Sequence, residues 1–344
     1  MFGDNGWGVT YESTGPIGNL LRTLDGGHSW SAVTPHIAQG SSIFGFALLD
    51  VNHAWLMASS TDTGAGLVDL WATSDGGQTW STTTATGIPF RGALITFSDA
   101  GHGWLATPSE PGSQFEQQGI VIDRTLDGGK SWQLVTRTGV PPDSSTAGAP
   151  PAKCGKSDIS FLSASTGWLA GGCTSGITFD VTVDGGVTWK TQLIASPQRV
   201  AFSTYCAGGG CTLSAPRFLT PQFGYIVLHT TGPYPGRSWL YTSRDGGRGW
   251  TLHALPGQET RVSMVNASMG FASVGPIAAT SWLYRTGDGG ETWQPVLANL
   301  NLSYVALDCV SILRCWALTP SENGPNTPSS LYQSIDGGKT WATP

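Results

Sequence analysis

A chain of 344 residues with a formal charge of −6, only 12% of it charged, is long enough for a sizeable core and too acidic for a nucleic-acid binder, which needs a basic stripe to displace counterions. No run of 18 apolar residues occurs, so no membrane-spanning helix is expected. The opening MFGDNGWGV has neither a basic n-region nor an apolar h-region and does not read as a signal peptide. That leaves a cytoplasmic protein, or one whose export signal lies outside this sequence.

The chain is organised by one phrase. RTLDGGHSW (22–30) returns as ATSDGGQTW (72–80), RTLDGGKSW (124–132), VTVDGGVTW (181–189), TSRDGGRGW (242–250), RTGDGGETW (285–293) and QSIDGGKTW (333–341). The aspartates Asp25, Asp75, Asp127, Asp184, Asp245, Asp288 and Asp336 lie 43 to 61 residues apart. Asp-Gly is a strong hairpin signal, because glycine takes positive φ without steric cost. The carboxylate can accept backbone N–H groups further round the turn. A Ser or Thr stands two residues before each Asp and, except at Gly249, four after it. The Trp at +5 is expected to be buried as the cover of the hairpin.

In chain order the units run approximately 1–36, 37–88, 89–140, 141–196, 197–256, 257–299 and 300–344. Unit one has only MFGDN before Gly6-Trp7 and is expected to lack a full inner strand, or to have it upstream. Unit two opens on SIFGFALLD (42–50), restarts at Ala54-Trp55 and reaches its DGG turn. Unit three repeats this with GALITFSD (92–99) and Gly103-Trp104, and unit four with Gly167-Trp168. Units five and six restart at Gly224-Tyr225 and Gly270-Phe271 and carry the matching strands SWLYTS and SWLYRT; unit seven restarts at Cys315-Trp316. Each unit reads as strand A, a turn, strand B from the aromatic, a loop, strand C, the DGG turn and strand D. Four short strands repeated seven times predict an all-β fold, a seven-bladed β-propeller of four-stranded blades over a single domain, 1–344. All fifteen tryptophans fall on these repeat positions, so none is needed as a sugar platform.

The DGG phrase resembles the Asp-box, or bacterial neuraminidase repeat. With the preceding GW it looks most like the photosystem II assembly-factor-like propellers of bacteria; sialidases and xyloglucanases carry similar boxes. The resemblance implies peripheral, structural hairpins for all seven aspartates and says almost nothing about activity.

In the blade arrangement, Cys154 precedes strand A of unit four and Cys173 ends its strand B; Cys206 and Cys211 share a Gly-rich loop; Cys309 and Cys315 face each other across an A–B turn. The pairs Cys154–Cys173, Cys206–Cys211 and Cys309–Cys315 are therefore expected as disulfides, which imply an extracellular, periplasmic or cell-surface location. A zinc site, or free thiols in a cytoplasmic protein, is the competing arrangement.

Function is sought on the face shared by the B–C loops and the blade connectors, where loops on a rigid scaffold commonly bind. The longest loops are 107–118, 138–157, 196–214 and 229–238. Arg91, Asp158, Arg217 and Arg261 are expected near the channel mouth, with Tyr234 and Arg237 beside it. A glycosidase needs two facing carboxylates, for which Glu110, Glu116, Asp143 and Asp158 qualify by loop position alone. The Phe-Arg-Ile-Pro signature of sialidases is absent; IPFR at 88–91 has the wrong order. No phosphate loop, nucleophile elbow or HExxH occurs. The reading is a monomeric, non-catalytic binding or scaffold propeller with a protein or glycan partner and neither cofactor nor metal. A glycan-cleaving enzyme is the alternative.

Overall fold

The structure is a computed structural model that describes residues 1–11, 17–37, 41–59, 68–85, 93–108, 116–139, 145–230, 237–257, 260–274, 282–296, 306–319 and 330–344. These residues form seven small antiparallel blades in a ring, with almost no helix. Blade one has three strands, B (Gly6–Tyr11), C (Ile17–Thr23) and D (Ser31–Ala32). Among the described residues, a single pair, Ile17 with Ile43, joins it to the inner strand A of blade two (Ile43–Leu48). Blades two, three, four and six have four strands ordered A-B-C-D. In blade five strand A is split into Cys211–Leu213 and Arg217–Phe218, both paired with strand B (Gly224–Thr230). The outer strand of blade seven is reduced to one bridge, Gln333 with Ala342.

One register runs through the ring. The residue before each strand-B aromatic pairs with the hydroxyl residue that opens the DGG turn: Gly6 with Thr23, Ala54 with Thr73, Gly103 with Thr125, Gly167 with Thr182, Gly224 with Ser243, Gly270 with Thr286 and Cys315 with Ser334. A small residue is required there because the end of strand A lies over it. A Cβ on Gly103 would stand 2.3 Å from the Phe97 ring, and one on Gly167 2.5 Å from Phe161.

The turns are built as their chemistry predicts. Both glycines take positive φ, +76° and +96° at Gly128 and Gly129. Asp127 Oδ1 accepts the Thr125 hydroxyl at 2.8 Å and the Ser131 amide at 2.9 Å, and Oδ2 accepts the Ser131 hydroxyl at 2.6 Å. Thr125 Oγ1 in turn accepts the Gly129 amide at 2.9 Å. The same bonds recur at Asp25, Asp75, Asp184, Asp288 and Asp336. Only Asp245 lacks the second hydroxyl; it accepts Ser243 Oγ at 2.8 Å and the Gly249 amide at 3.0 Å. Gly249 does not have positive φ, and a Cβ there would meet only the Asp245 carboxylate, at 3.1 Å. Gly249→Thr is therefore expected to restore the missing bond and raise stability by about 1 kcal/mol. Urea unfolding of this variant against the parent checks it; an unchanged midpoint would show the bond to be worthless.

Hydrogen bonds from the +4 hydroxyl, the +4 amide and the −2 hydroxyl, in that order, hold Asp75, Asp127, Asp288 and Asp336 down to about 2. An unfolded aspartate titrates near about 4. The folded state thus binds these protons less tightly, so the turns contribute their full stability above about pH 4 and lose it as pH falls through 2. Asp123, Asp158 and Asp180, raised by burial, run the opposite way, but they are outnumbered. Tryptophan fluorescence is expected to report an acid transition between about pH 4 and pH 2.

The blades are joined by the strand-B tryptophans. The Trp55 indole N–H donates to Gly128 O at 2.8 Å, Trp104 to Gly185 O at 2.9 Å and Trp316 to Gly26 O at 2.8 Å, in each case in the next blade's DGG turn. The last bond closes the ring from blade seven to blade one, beside the ion pair of Arg314 with Asp4 at 2.5 Å. Trp55 also stacks on Phe97 of the next blade at 3.5 Å between centroids, and Trp104 on Phe161 at 3.4 Å. Phe97 and Phe161 in turn meet Trp132 and Trp189 of their own blades edge-on. The expectation that the +5 tryptophans are the buried ones needs correction. Trp189 and Trp341 are buried, but Trp30, Trp80, Trp132, Trp250 and Trp293 are half-exposed. The deepest indoles are Trp104 and Trp168 on strand B, because the strand-B position faces a neighbouring blade.

Candidate functional site

The loop face of blades three to five is tied together from three sides. All three expected disulfides are present, and two of them, Cys154–Cys173 and Cys206–Cys211, lie here. Cys154 takes φ +40° and hands its amide to Glu116 O at 3.1 Å, which draws the returning B–C loop of blade three onto blade four. Gln198 and Arg199, in the connector to blade five, are the other non-glycine residues with positive φ among those described, at +54° and +60°. Left-handed backbone of this kind persists where its surroundings over-determine it. Blade five approaches blade four so closely that a Cβ on Gly172 would stand 2.1 Å from Cys211 O. Beneath the connector, the short helix Phe202–Tyr205 places Tyr205 Oη where it accepts the Trp239 indole N–H at 2.7 Å.

Two carboxylates of this face are engaged internally. Glu116 Oε1 accepts the amide and hydroxyl of Thr174, and Oε2 the Ser175 amide, closing the B–C turn of blade four. Hydrogen bonds from Ser175 and Thr174 hold its carboxyl below the usual range. Asp158 accepts the Ile159 amide at 2.9 Å and, across to blade five, the Ala215 amide at 2.8 Å. Burial pushes its carboxyl up. These two carboxylates therefore organise backbone.

Two further buried charges carry no strong signal in the sequence. Lys156 Nζ donates among the carbonyls of Gln118, Pro151, Lys153 and Cys154 at 2.5 to 3.2 Å. Burial lowers its ammonium to about 8. Asp180, fully buried, accepts Thr178 Oγ1 at 2.8 Å and Thr191 Oγ1 at 2.7 Å, and burial raises it. The hydroxyls flanking Asp180 in strand C and facing it from strand D were the readable hint.

Arg217 follows the break in strand A and pairs with Tyr225, one step from the A–B turn. From that end it reaches Asp308 of blade seven, Nη2 to Oδ1 at 3.6 Å. Arg261 sits exposed at the start of strand A of blade six, and Arg237 is exposed at the loop face of blade five. Arg91, Glu110, Asp143 and Tyr234 lie outside the described residues. Among the described residues no three His, Cys, Asp or Glu converge as a metal site, and no helix is long and apolar enough to cross a membrane.

No family profile matches the chain, and no curated protein does. Among solved structures the fold is similar to YCF48 from Cyanidioschyzon merolae, at 20% identity and a TM-score of 0.53, over 90% of this chain and 86% of that one. It is also similar to the GH74 enzyme of Niastella koreensis, at 14% identity and a TM-score of 0.56, over 99% of this chain and 54% of that one. This chain thus spans about half of that enzyme. These likenesses establish the fold, and the first is the type of propeller anticipated from the DGG turns.

Proposed function

We propose that this protein is a non-catalytic binding propeller, working outside the cytoplasm, that recognises a protein or glycan through the loop face of blades three to five. The observation that carries the reading is the pairing of rigidity with chemical idleness on that face. Two disulfides and strained connectors fix its shape, while Glu116 and Asp158 are already engaged by backbone amides. Preorganised loops lower the ordering cost of recognition. Three disulfides support an oxidising compartment.

The test is a glycan array, a protein-partner capture and a panel of glycosidase substrates on one non-reduced preparation. Saturable binding weakened by Arg237→Glu, with no turnover, is the expected result. Turnover of any glycoside that is abolished by Glu110→Gln or Asp158→Asn would replace this reading with a glycoside hydrolase.

A further inference from the structure

At five junctions of the ring, one blade's side chain reaches the next blade's DGG turn. Arg22 Nη1 donates to the carbonyls of Asp75 at 3.3 Å and Gly76 at 2.8 Å. Arg124, Arg244 and Arg314 lie over the first glycine of the following turn, 2.5, 2.7 and 2.8 Å from where a Cβ would stand on Gly185, Gly289 and Gly26. Between blades four and five the reach is made by Gln192, whose Nε2 donates to Gly247 O at 2.7 Å and Arg248 O at 3.1 Å.

Among the described residues, the junction between blades two and three has neither device. Opposite the strand-B tryptophan, where Trp7 faces Arg22 and Trp104 faces Arg124, Trp55 faces Ala72. At the strand-D position that holds Gln192, three residues past the turn tryptophan, blade two has Thr83. Both side chains are short, and a cleft of about 230 Å³ opens there, lined by Ala72, Thr83, Trp55, His53, Lys130 and the Asp127–Gly129 turn. That is room for about seven waters at about 30 Å³ each, enough for a branched planar group on a short stem. Gly128 O already accepts Trp55 Nε1 and keeps a second lone pair. Trp55 itself is buried, with Phe97 stacked on it at 3.5 Å and the His53 ring near-parallel to it at 6.4 Å, and the cleft reaches its indole. Elsewhere in the ring a guanidinium lies over the matching indole, Arg22 over Trp7 at 5.4 Å and Arg314 over Trp316 at 4.9 Å. His53 Nδ1 is engaged by Asp50 at 2.9 Å, and the Asp127 carboxylate by Thr125 and Ser131. The acceptors left to a ligand are therefore the turn carbonyls. Lys130 stands at the side and opposes a cation, which a flexible surface ammonium does weakly.

We propose that this cleft binds an alkylguanidinium supplied from outside the chain, lying beside Trp55 and hydrogen-bonded to the carbonyls of the Asp127–Gly129 turn as Arg22 is to the turn of blade two. The site lies on the turn face and is independent of the loop face. The probes are agmatine, an acetylated Gly-Arg-Gly amide and, as the ammonium control, n-butylamine, each read by the Trp55 indole N–H resonance. Saturable millimolar shifts are expected with agmatine or the peptide and none with butylamine. Ala72→Arg, which fills the cleft from within, is expected to weaken that binding at least about tenfold and to raise the melting temperature. Thr83→Gln, a smaller filler, is expected to weaken binding in the same sense and decides the matter if the arginine variant does not fold. Peptide binding tighter than agmatine assigns the guanidinium to a partner's arginine, and the reverse to a free small molecule. No saturable shift, an equal response to butylamine, or binding unchanged in the folded filled variants would overturn the proposal.

Discussion

Trp104→Ala is expected to lower the unfolding free energy by about 3–5 kcal/mol, the range for emptying a fully buried aromatic site. Trp104 has no exposed surface. Its removal deletes the stack on Phe161 and the bond to Gly185 O together, so the loss falls on the joint between blades three and four. Trp104→Phe keeps a ring against Phe161 and gives up the N–H, so it is expected to cost about 1–2 kcal/mol. Trp132→Ala is expected to lie below Trp104→Ala, because Trp132 is half-exposed. Equilibrium urea unfolding of the three variants checks the order. Were Trp132→Ala the most damaging, the cover of the hairpin would matter more than the joint between blades. Total stabilities of folded domains are about 5–15 kcal/mol, so Trp104→Ala removes a large fraction of what holds the ring.

The second large effect is expected at Cys154–Cys173. Serine at both positions releases a cross-link spanning a sequence separation of 19, worth about 3 kcal/mol in the chain-entropy description. The damage should reach beyond blade four, because Cys154 also hands its amide to Glu116 O and its carbonyl helps enclose the Lys156 ammonium. A melting temperature lowered by a few degrees and weaker loop-face binding are expected together. Cys309–Cys315, across an A–B turn on the other face, supplies the control: its loss should lower stability and leave loop-face binding intact.

The seven turns and the three cysteine pairs were legible in the sequence because each is a local object. A turn needs only Asp-Gly-Gly with flanking hydroxyls, and each disulfide joins positions that one blade's topology brings together. What the sequence concealed is contact at long separation. Trp104 and Gly185 O are 81 residues apart, and nothing within one repeat says that a strand-B indole serves its neighbour. Arg217 was misplaced for a different reason: the break in strand A of blade five at Ser214–Pro216 shifts it toward the turn end, where it finds Asp308. Loop position alone, which points to Glu116, does not register that Thr174 and Ser175 turn their donors toward it. The cleft at Ala72 was equally hidden, since an alanine stands out only after the register shows that arginine occupies the same place in blades one and three.

The indole-to-turn contact has a direction. At Trp55, Trp104 and Trp316 one blade donates and the next accepts, so within a single chain the ring repeats the logic of a heterologous, head-to-tail assembly that closes only because its rotation completes a circle. Trp316 and Gly26 are where that circle is completed. A fragment cut to blades three and four would carry an unanswered donor, Gln192 Nε2, at one end and an unanswered turn, Asp127–Gly129, at the other. Copies of it should add end to end into open chains, with nothing in the contact itself to stop growth.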